Sequence, residues 1–133
     1  MKILLDTHAL LWFAADSPQL GRRSRQLAGA AAPDARLCVS AVSFWEIGLL
    51  AARGRLQTAF PADEVRAEAM AAGLRELPLT GPAAVLAAAL DLHRDPADRF
   101  IAATAILHEA TLVTADERLL GWSHPLKRQD ARR

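Results

Sequence analysis

Lys2-Ile3-Leu4-Leu5-Asp6-Thr7-His8 sets how the rest of the chain is read. Lys2 to Leu5 holds no turn former, and its apolar run suits a strand buried on both faces, as in a parallel sheet. From Thr7 to Ala15 the step changes: Leu10, Leu11 and Phe13 recur at near-helical spacing, so strand gives way to helix at Asp6. In an open parallel sheet the carboxyl ends of the strands share one edge, and ligands bind along it. A carboxylate closing an apolar strand adds nothing to packing. Its local use would be to cap the helix that follows.

The same grammar repeats downstream. Arg36 to Val39 reads as a second strand, followed by a helix from Ser40 to Arg53 that Gly54 ends. Leu74 to Leu77 is a weak third strand, Thr111 to Val113 a fourth, and Pro125 to Lys127 a fifth at an edge, where proline is tolerated. Between them, Ser17 and Pro18 are placed as N-cap and first residue of a helix to Gly29, and Ala30 to Ala35 reads as a linker. Further helices are expected from Pro61 to Gly73, from Gly81 to His93 and from Asp95 to Glu109, with a short helical turn from Glu117 to Leu120. Strands alternating with helices predict an α/β protein whose parallel sheet is covered on both faces. No repeat is present, and residues 1–133 read as a single domain.

The bulk numbers exclude several classes. Hydrophobic residues make up 52%, as in a globular protein. No apolar run approaches the roughly 18 residues that span a bilayer. The start of the chain reaches Asp6 too soon for a signal peptide. Cys38 has no second cysteine to pair with, which fits a reducing cytoplasm, and its apolar neighbours mark it as a buried thiol. The net charge is only +1, yet Arg22, Arg23 and Arg25 cluster, as do Lys127, Arg128, Arg132 and Arg133. Such clusters are either a footprint for phosphate or a solvated helix face and a frayed tail.

Four acids lie at comparable places, close after a strand or at the start of a helix: Asp6, Glu46, Asp98 and Asp116. Each has a local explanation. Ser43-Phe44-Trp45-Glu46 spells a capping box. In Asp95-Pro96-Ala97-Asp98, Asp95 reads as N-cap and Asp98 as a first-turn acid, with Arg99 beside it as a neutralising charge. Asp116 is a possible N-cap. Local capping does not explain why the acids share one edge of the sheet. Gathered there, they would repel one another unless a cation sat between them, and oxygen-only ligands suit Mg²⁺ or Mn²⁺. Thr7 and Thr114 are hydroxyls next to this group, able to hold its carboxylates. Without the cation the crowding would strain the fold, so neutralising Asp98 or Asp116 is expected to relieve it. The 4 histidines lack zinc-ligand spacing, and only His8 is expected near the acids. There is no glycine-rich phosphate loop and no nucleophile-elbow serine.

These pieces, in this order, resemble the PIN-domain ribonucleases and, within them, the VapC toxins of bacterial toxin–antitoxin pairs. The matching stretches are Ile3 to His8, Ser40 to Ile47, His93 to Ala105 and Leu112 to Asp116. Ala97 departs from the bulky apolar residue common in this subgroup. The resemblance implies a three-layer α/β/α sandwich around a central, mainly parallel sheet of four to five strands. It implies Mg²⁺- or Mn²⁺-dependent endoribonuclease activity, with Asp6, Glu46, Asp98 and Asp116 as the catalytic quartet. Asp6, Asp98 and Asp116 would be metal ligands, and Thr7, Thr114 and Asp95 secondary positions. Its partners would be RNA, a small VapB-like antitoxin and a second copy in a homodimer, with no membrane involved. Trp12, Phe13, Phe44 and Trp45 would serve such contacts or lie in the core. A haloacid-dehalogenase-like phosphatase would want an Asp two residues after Asp6, where His8 stands. A non-catalytic RNA-binding or interaction domain would have no use for clustered like charge.

Overall fold

The structure is a computed structural model and describes residues 1–54 and 61–133. Its strands are β1 (Ile3–Leu5), β2 (Leu37–Ser40), β3 (Arg75–Leu77), β4 (Thr111–Thr114) and β5 (Arg128–Asp130). They form one sheet of order β3-β2-β1-β4-β5, with every neighbouring pair parallel. Parallel neighbours need crossovers, and among the described residues two α-helices lie in each of the first three. These are α1 (Thr7–Ala14) and α2 (Arg22–Ala31), α3 (Ala41–Ala52) and α4 (Ala62–Ala71), and α5 (Gly81–Ala89) and α6 (Pro96–Leu107). A single turn of helix, α7 (Glu117–Leu120), joins β4 to β5.

The three layers follow from the two-residue period of a strand. Ile3 and Leu5 of β1, Leu37 and Val39 of β2, and Val113 of β4 point to one face. There they meet Leu10 of α1, Ala28 of α2, Phe44 and Ile47 of α3, and Val65 of α4. Leu4, Cys38 and Leu112 point to the other face and meet Ile101 and Ala105 of α6 and Leu119 of α7. α5 packs outside α6, through Ala83 and Ala87 against Ala103. Cys38 is a buried thiol, as expected. Phe44 is buried, Trp12 and Phe13 are half-buried against the first core, and Trp45 is 53% exposed. Among the described residues no helix is long and apolar enough to cross a membrane.

Four stretches differ from the sequence expectation, the first being the expected linker from Ala30 to Ala35, where α2 runs on to Ala31 and a 3-10 turn spans Ala32–Asp34. β5 forms at Arg128–Asp130 instead of Pro125 to Lys127, where Leu126 turns into the core. α5 stops at Ala89 instead of running to His93. α2 begins at Arg22, with Gly21 as cap, instead of at Pro18; the Ser17 hydroxyl caps only a turn, accepting from Gln19 N at 3.2 Å. The physical reason lies in the last residues of the chain. Gly21 N donates to Ala131 O (2.8 Å) and Ser24 N to the Arg133 oxygen (2.9 Å). A Cβ on Gly21 would lie 2.2 Å from the Arg133 carbonyl carbon, so glycine is what allows the approach. The end of the chain is therefore docked rather than frayed.

Arg128 explains the position of β5. Its guanidinium donates to four carbonyls, those of Leu119 (2.7 Å), Trp122 (2.6 Å), His124 (2.7 Å) and Leu126 (3.0 Å). No short side chain can replace that fork. Arg128→Ala is expected to destabilise the protein by about 2–4 kcal/mol, since bonds to charged groups are among the stronger ones. An unchanged urea midpoint would remove this role from Arg128.

Candidate active site

The sheet order places a topological switch point between β1 and β4. From β1 the chain winds outward through β2 to β3; it then crosses to β4 and continues to β5 on the opposite side. Beyond the carboxyl ends of such a strand pair a crevice opens. Asp6 ends β1 there, and Thr114 ends β4. Asp6 is 6% exposed. Its Oδ1 accepts from Ala9 N at 2.9 Å, capping α1, and its Oδ2 accepts from the Thr114 hydroxyl, a bond that spans the switch point. Burial pushes the Asp6 carboxyl up, against the pull of Thr114 and the Ala9 amide.

Asp98 enters from the first turn of α6 and is also buried. Its Oδ2 lies 2.7 Å from His93 Nε2 and 3.6 Å from Arg118 Nη2. Burial, then the charges of Asp95, Asp116 and Glu46, push the Asp98 carboxyl up to about 8. Burial also holds the His93 ring below its ordinary value, with the Arg118 charge adding to this. Both shifts disfavour charge on the two partners of this contact. Asp116 contrasts with Asp98. Burial alone would raise it, but Arg118 bonds it through side chain and backbone and holds it at about 2. Arg118 Nε reaches Asp116 Oδ1 at 3.2 Å, Nη2 reaches Oδ2 at 2.9 Å, and the Arg118 amide donates to Oδ1 at 2.8 Å.

Glu46 lies on α3. The capping box does not form: α3 starts at Ala41 and is capped by the Ser40 hydroxyl, which accepts from Val42 N at 3.1 Å. Ser43 instead accepts from the buried Thr7 hydroxyl at 3.1 Å. Glu46 is half-buried; burial raises its carboxyl, and contact with Thr7 and the charge of His8 draw it back. Asp95 caps α6, accepting from Ala97 N at 3.1 Å.

One open cleft of about 350 Å³ is lined by Asp6, Thr7, His8, Glu46, Asp95, Asp98, Asp116 and Arg118, with Trp12, Leu50, Ala115 and Arg132 at its sides. All four acids singled out in the sequence thus share one cavity. Capping and convergence coexist at Asp6 and Asp116, because a cap residue at a strand end already points out of the sheet edge. His93 was not anticipated beside the acids. Among the described residues, His93, Asp98 and Asp116 offer ligand atoms within 4.8 Å of one another. Its position five residues before Asp98, in an irregular loop, carries no zinc-like spacing and so gave no warning.

The arginine clusters divide on inspection. Arg99 does not neutralise Asp98. It donates backwards to the carbonyls of Ala87 (2.7 Å), Leu92 (2.6 Å) and His93 (3.0 Å), fastening the loop between α5 and α6. Arg25 pairs with Asp16 and donates to the carbonyls of Ser17 and Leu20. Arg128 holds the carbonyls named above. Arg22 and Arg23 are exposed. Arg132 donates to Ala115 O at 2.7 Å and lies 5.8 Å over the Trp12 ring, on the rim of the cleft.

A five-stranded parallel sheet with carboxylates at its switch point is the arrangement that the sequence motifs implied. The family model of the PIN domain matches residues 3–121, and the chain belongs to that family. It is 37% identical over 125 residues to Ribonuclease VapC22 of Mycobacterium tuberculosis (strain ATCC 25618 / H37Rv), an alignment covering 92% of this chain and 93% of that protein. The fold is shared with VapBC2 from Rickettsia felis, solved bound to a DNA fragment from its promoter (TM-score 0.68, 15% identity, 97% of this chain and 98% of that one). It is shared also with a toxin–antitoxin complex from Klebsiella pneumoniae (TM-score 0.65, 20% identity, 98% of each chain).

Proposed function

We propose that the chain is a divalent-cation-dependent endoribonuclease and the toxin of a VapBC-type toxin–antitoxin pair, acting in the cytoplasm. One observation carries this: four carboxylates from distant segments line a single cleft at the switch point of the sheet. The ribonuclease relative, alike over nearly its whole length, supports RNA as substrate. The donor set fits a hard cation. Asp6, Glu46, Asp98 and Asp116 offer carboxylate oxygens, with His93 bonded to Asp98 beside them, and the raised Asp98 and Asp6 mark a place where positive charge would be welcomed. Asp6, Asp98 and Asp116 would hold Mg²⁺ or Mn²⁺, which would polarise water and offset charge on the scissile phosphate.

The chain's own groups do the rest. Thr114 and the Ala9 amide fix Asp6, and the bond from Thr7 to Ser43 ties α1 to α3 below Glu46. Glu46, with its carboxyl raised, takes the proton from the attacking water. The water oxygen bonds to phosphorus as the bond to the leaving oxygen breaks. Arg118 and Arg132 line the cleft and bring positive charge suited to the RNA backbone. The RNA enters single-stranded, since a duplex would not splay at the cleft. A VapB-like antitoxin and a second copy of the chain are the expected partners, and exposed Trp45 belongs to the surface they would cover.

The test is cleavage of a labelled single-stranded RNA by the purified protein. Cleavage with Mg²⁺, stopped by EDTA and restored by Mn²⁺, is expected; RNA binding without cleavage would instead favour a binding domain. Asp95→Asn should retain cleavage within about threefold of wild type, because asparagine caps a helix as well as aspartate. Loss comparable to an Asp98 variant would move Asp95 into the metal-binding set.

A further inference from the structure

Resting on the metal-site reading above, we propose that His93 is a positioning residue for the cation site: its Nε2–H holds Asp98 Oδ2 and fixes how that carboxylate meets the metal. The bond is 2.7 Å. It links an irregular loop to the first turn of α6, so it is not a by-product of one helix.

The ring's surroundings say what it is for. The side chain is 15% exposed, and Nδ1 is buried with no hydrogen-bond partner among the described residues. A histidine kept for its contribution to the fold would have both nitrogens satisfied, or would be replaced by an apolar side chain of similar size. Here one nitrogen goes unsatisfied while the other meets Asp98. The orphaned Nδ1 also leaves Nε2 as the place for the ring proton once Asp98 is ionised, so Nε2 is the donor.

The loop that carries His93 is held firmly enough to aim it. Three donors of Arg99 reach the carbonyls of Ala87, Leu92 and His93 itself, and Trp122 Nε1 donates to Asp91 O at 2.7 Å. Arg99 follows Asp98 directly in α6. The helix turn that presents the carboxylate therefore also grips the loop that presents the imidazole. Groups that bond to a ligating side chain commonly change metal affinity 10- to 100-fold when removed.

The test pairs three substitutions with two readouts. Mn²⁺ binding is followed by loss of the free-ion electron paramagnetic resonance signal, and thermal melting is recorded in EDTA. His93→Ala is expected to weaken Mn²⁺ binding by about 10-fold or more, with no fall in the EDTA melting temperature. His93→Gln, whose amide N–H reaches the place of Nε2, should recover most of the affinity; His93→Asn, whose amide stops near the place of Nδ1, should not. The Mg²⁺ concentration for half-maximal RNA cleavage should follow the same ranking. Unchanged Mn²⁺ affinity in His93→Ala, beside normal wild-type binding, would overturn the role of His93 alone. Failure of wild type itself to bind Mn²⁺ would overturn the metal site on which it rests. A melting temperature that falls in EDTA with affinity intact would make His93 a structural residue.

Discussion

Asp98→Asn will reduce Mg²⁺-dependent RNA cleavage by on the order of a thousandfold, and Asp6→Asn by a similar factor, as removal of one electrostatic stabiliser of a developing charge typically does. An amide is a poor ligand for a hard cation. Neither change should unfold the protein. Asparagine can still accept from Ala9 N and keep α1 capped, and at position 98 it keeps an oxygen for His93. The loss should therefore appear in kcat with no fall in the melting temperature. Cleavage by Asp98→Asn within tenfold of wild type would remove Asp98 from the chemistry.

The second large effect is on stability, and the two aspartates should behave oppositely. With the Asp98 carboxyl at about 8 and an ordinary value of 3.8, the folded protein keeps a proton that the unfolded chain gives up. Stability from this source is complete below about pH 4, falls as pH rises, and is gone above about pH 8. Asp98→Asn removes that loss. Solvent in the open cleft screens part of the effect, leaving on the order of 2 kcal/mol, or roughly 6 °C in a domain of this size. In EDTA the variant should melt higher than wild type at pH 8 and equal to it at pH 4. Saturating Mg²⁺ should close the gap, because the ion stabilises only the chain that binds it. Asp116→Asn should show no such gain. Arg118 holds Asp116 at about 2, so its charge is favoured in the folded state. The sequence alone makes the two acids look equivalent, since nothing in it shows which one Arg118 grips. Equal pH profiles for wild type and Asp98→Asn in EDTA would mean that the Asp98 carboxyl is not raised.

Much of this molecule is legible in its sequence where the physics is local. β1, β2 and β4 declare themselves because strands buried on both faces must be apolar at successive positions, and four helix starts are spelled by Asp6, Ser40, Asp95 and Asp116. The convergence of Asp6 and Asp116 was legible too, because a residue just past a parallel strand has only one edge to go to; Glu46 and Asp98 are brought there by α3 and α6. What escaped depends on distant partners. Arg128 finds four carbonyls in the segment before it and draws β5 three residues along. Gly21 makes way for Arg133, from the other end of the chain, and delays α2. Ser43 accepts from the Thr7 hydroxyl and caps no helix. His93 reaches Asp98 only because Arg99, which looked like a neutralising neighbour of Asp98, turns away to hold the loop. Long side chains bonding to backbone carbonyls leave no periodic trace, and that is where sequence patterns end.

The most direct measurement is anomalous diffraction from crystals soaked in Mn²⁺. A single metal-binding cleft predicts a peak between the carboxylates of Asp6, Asp98 and Asp116, within about 2.3 Å of at least two of their oxygens, and no peak in Asp98→Asn crystals treated alike. A peak elsewhere, or none in wild type under Mn²⁺ concentrations that support RNA cleavage, would contradict it.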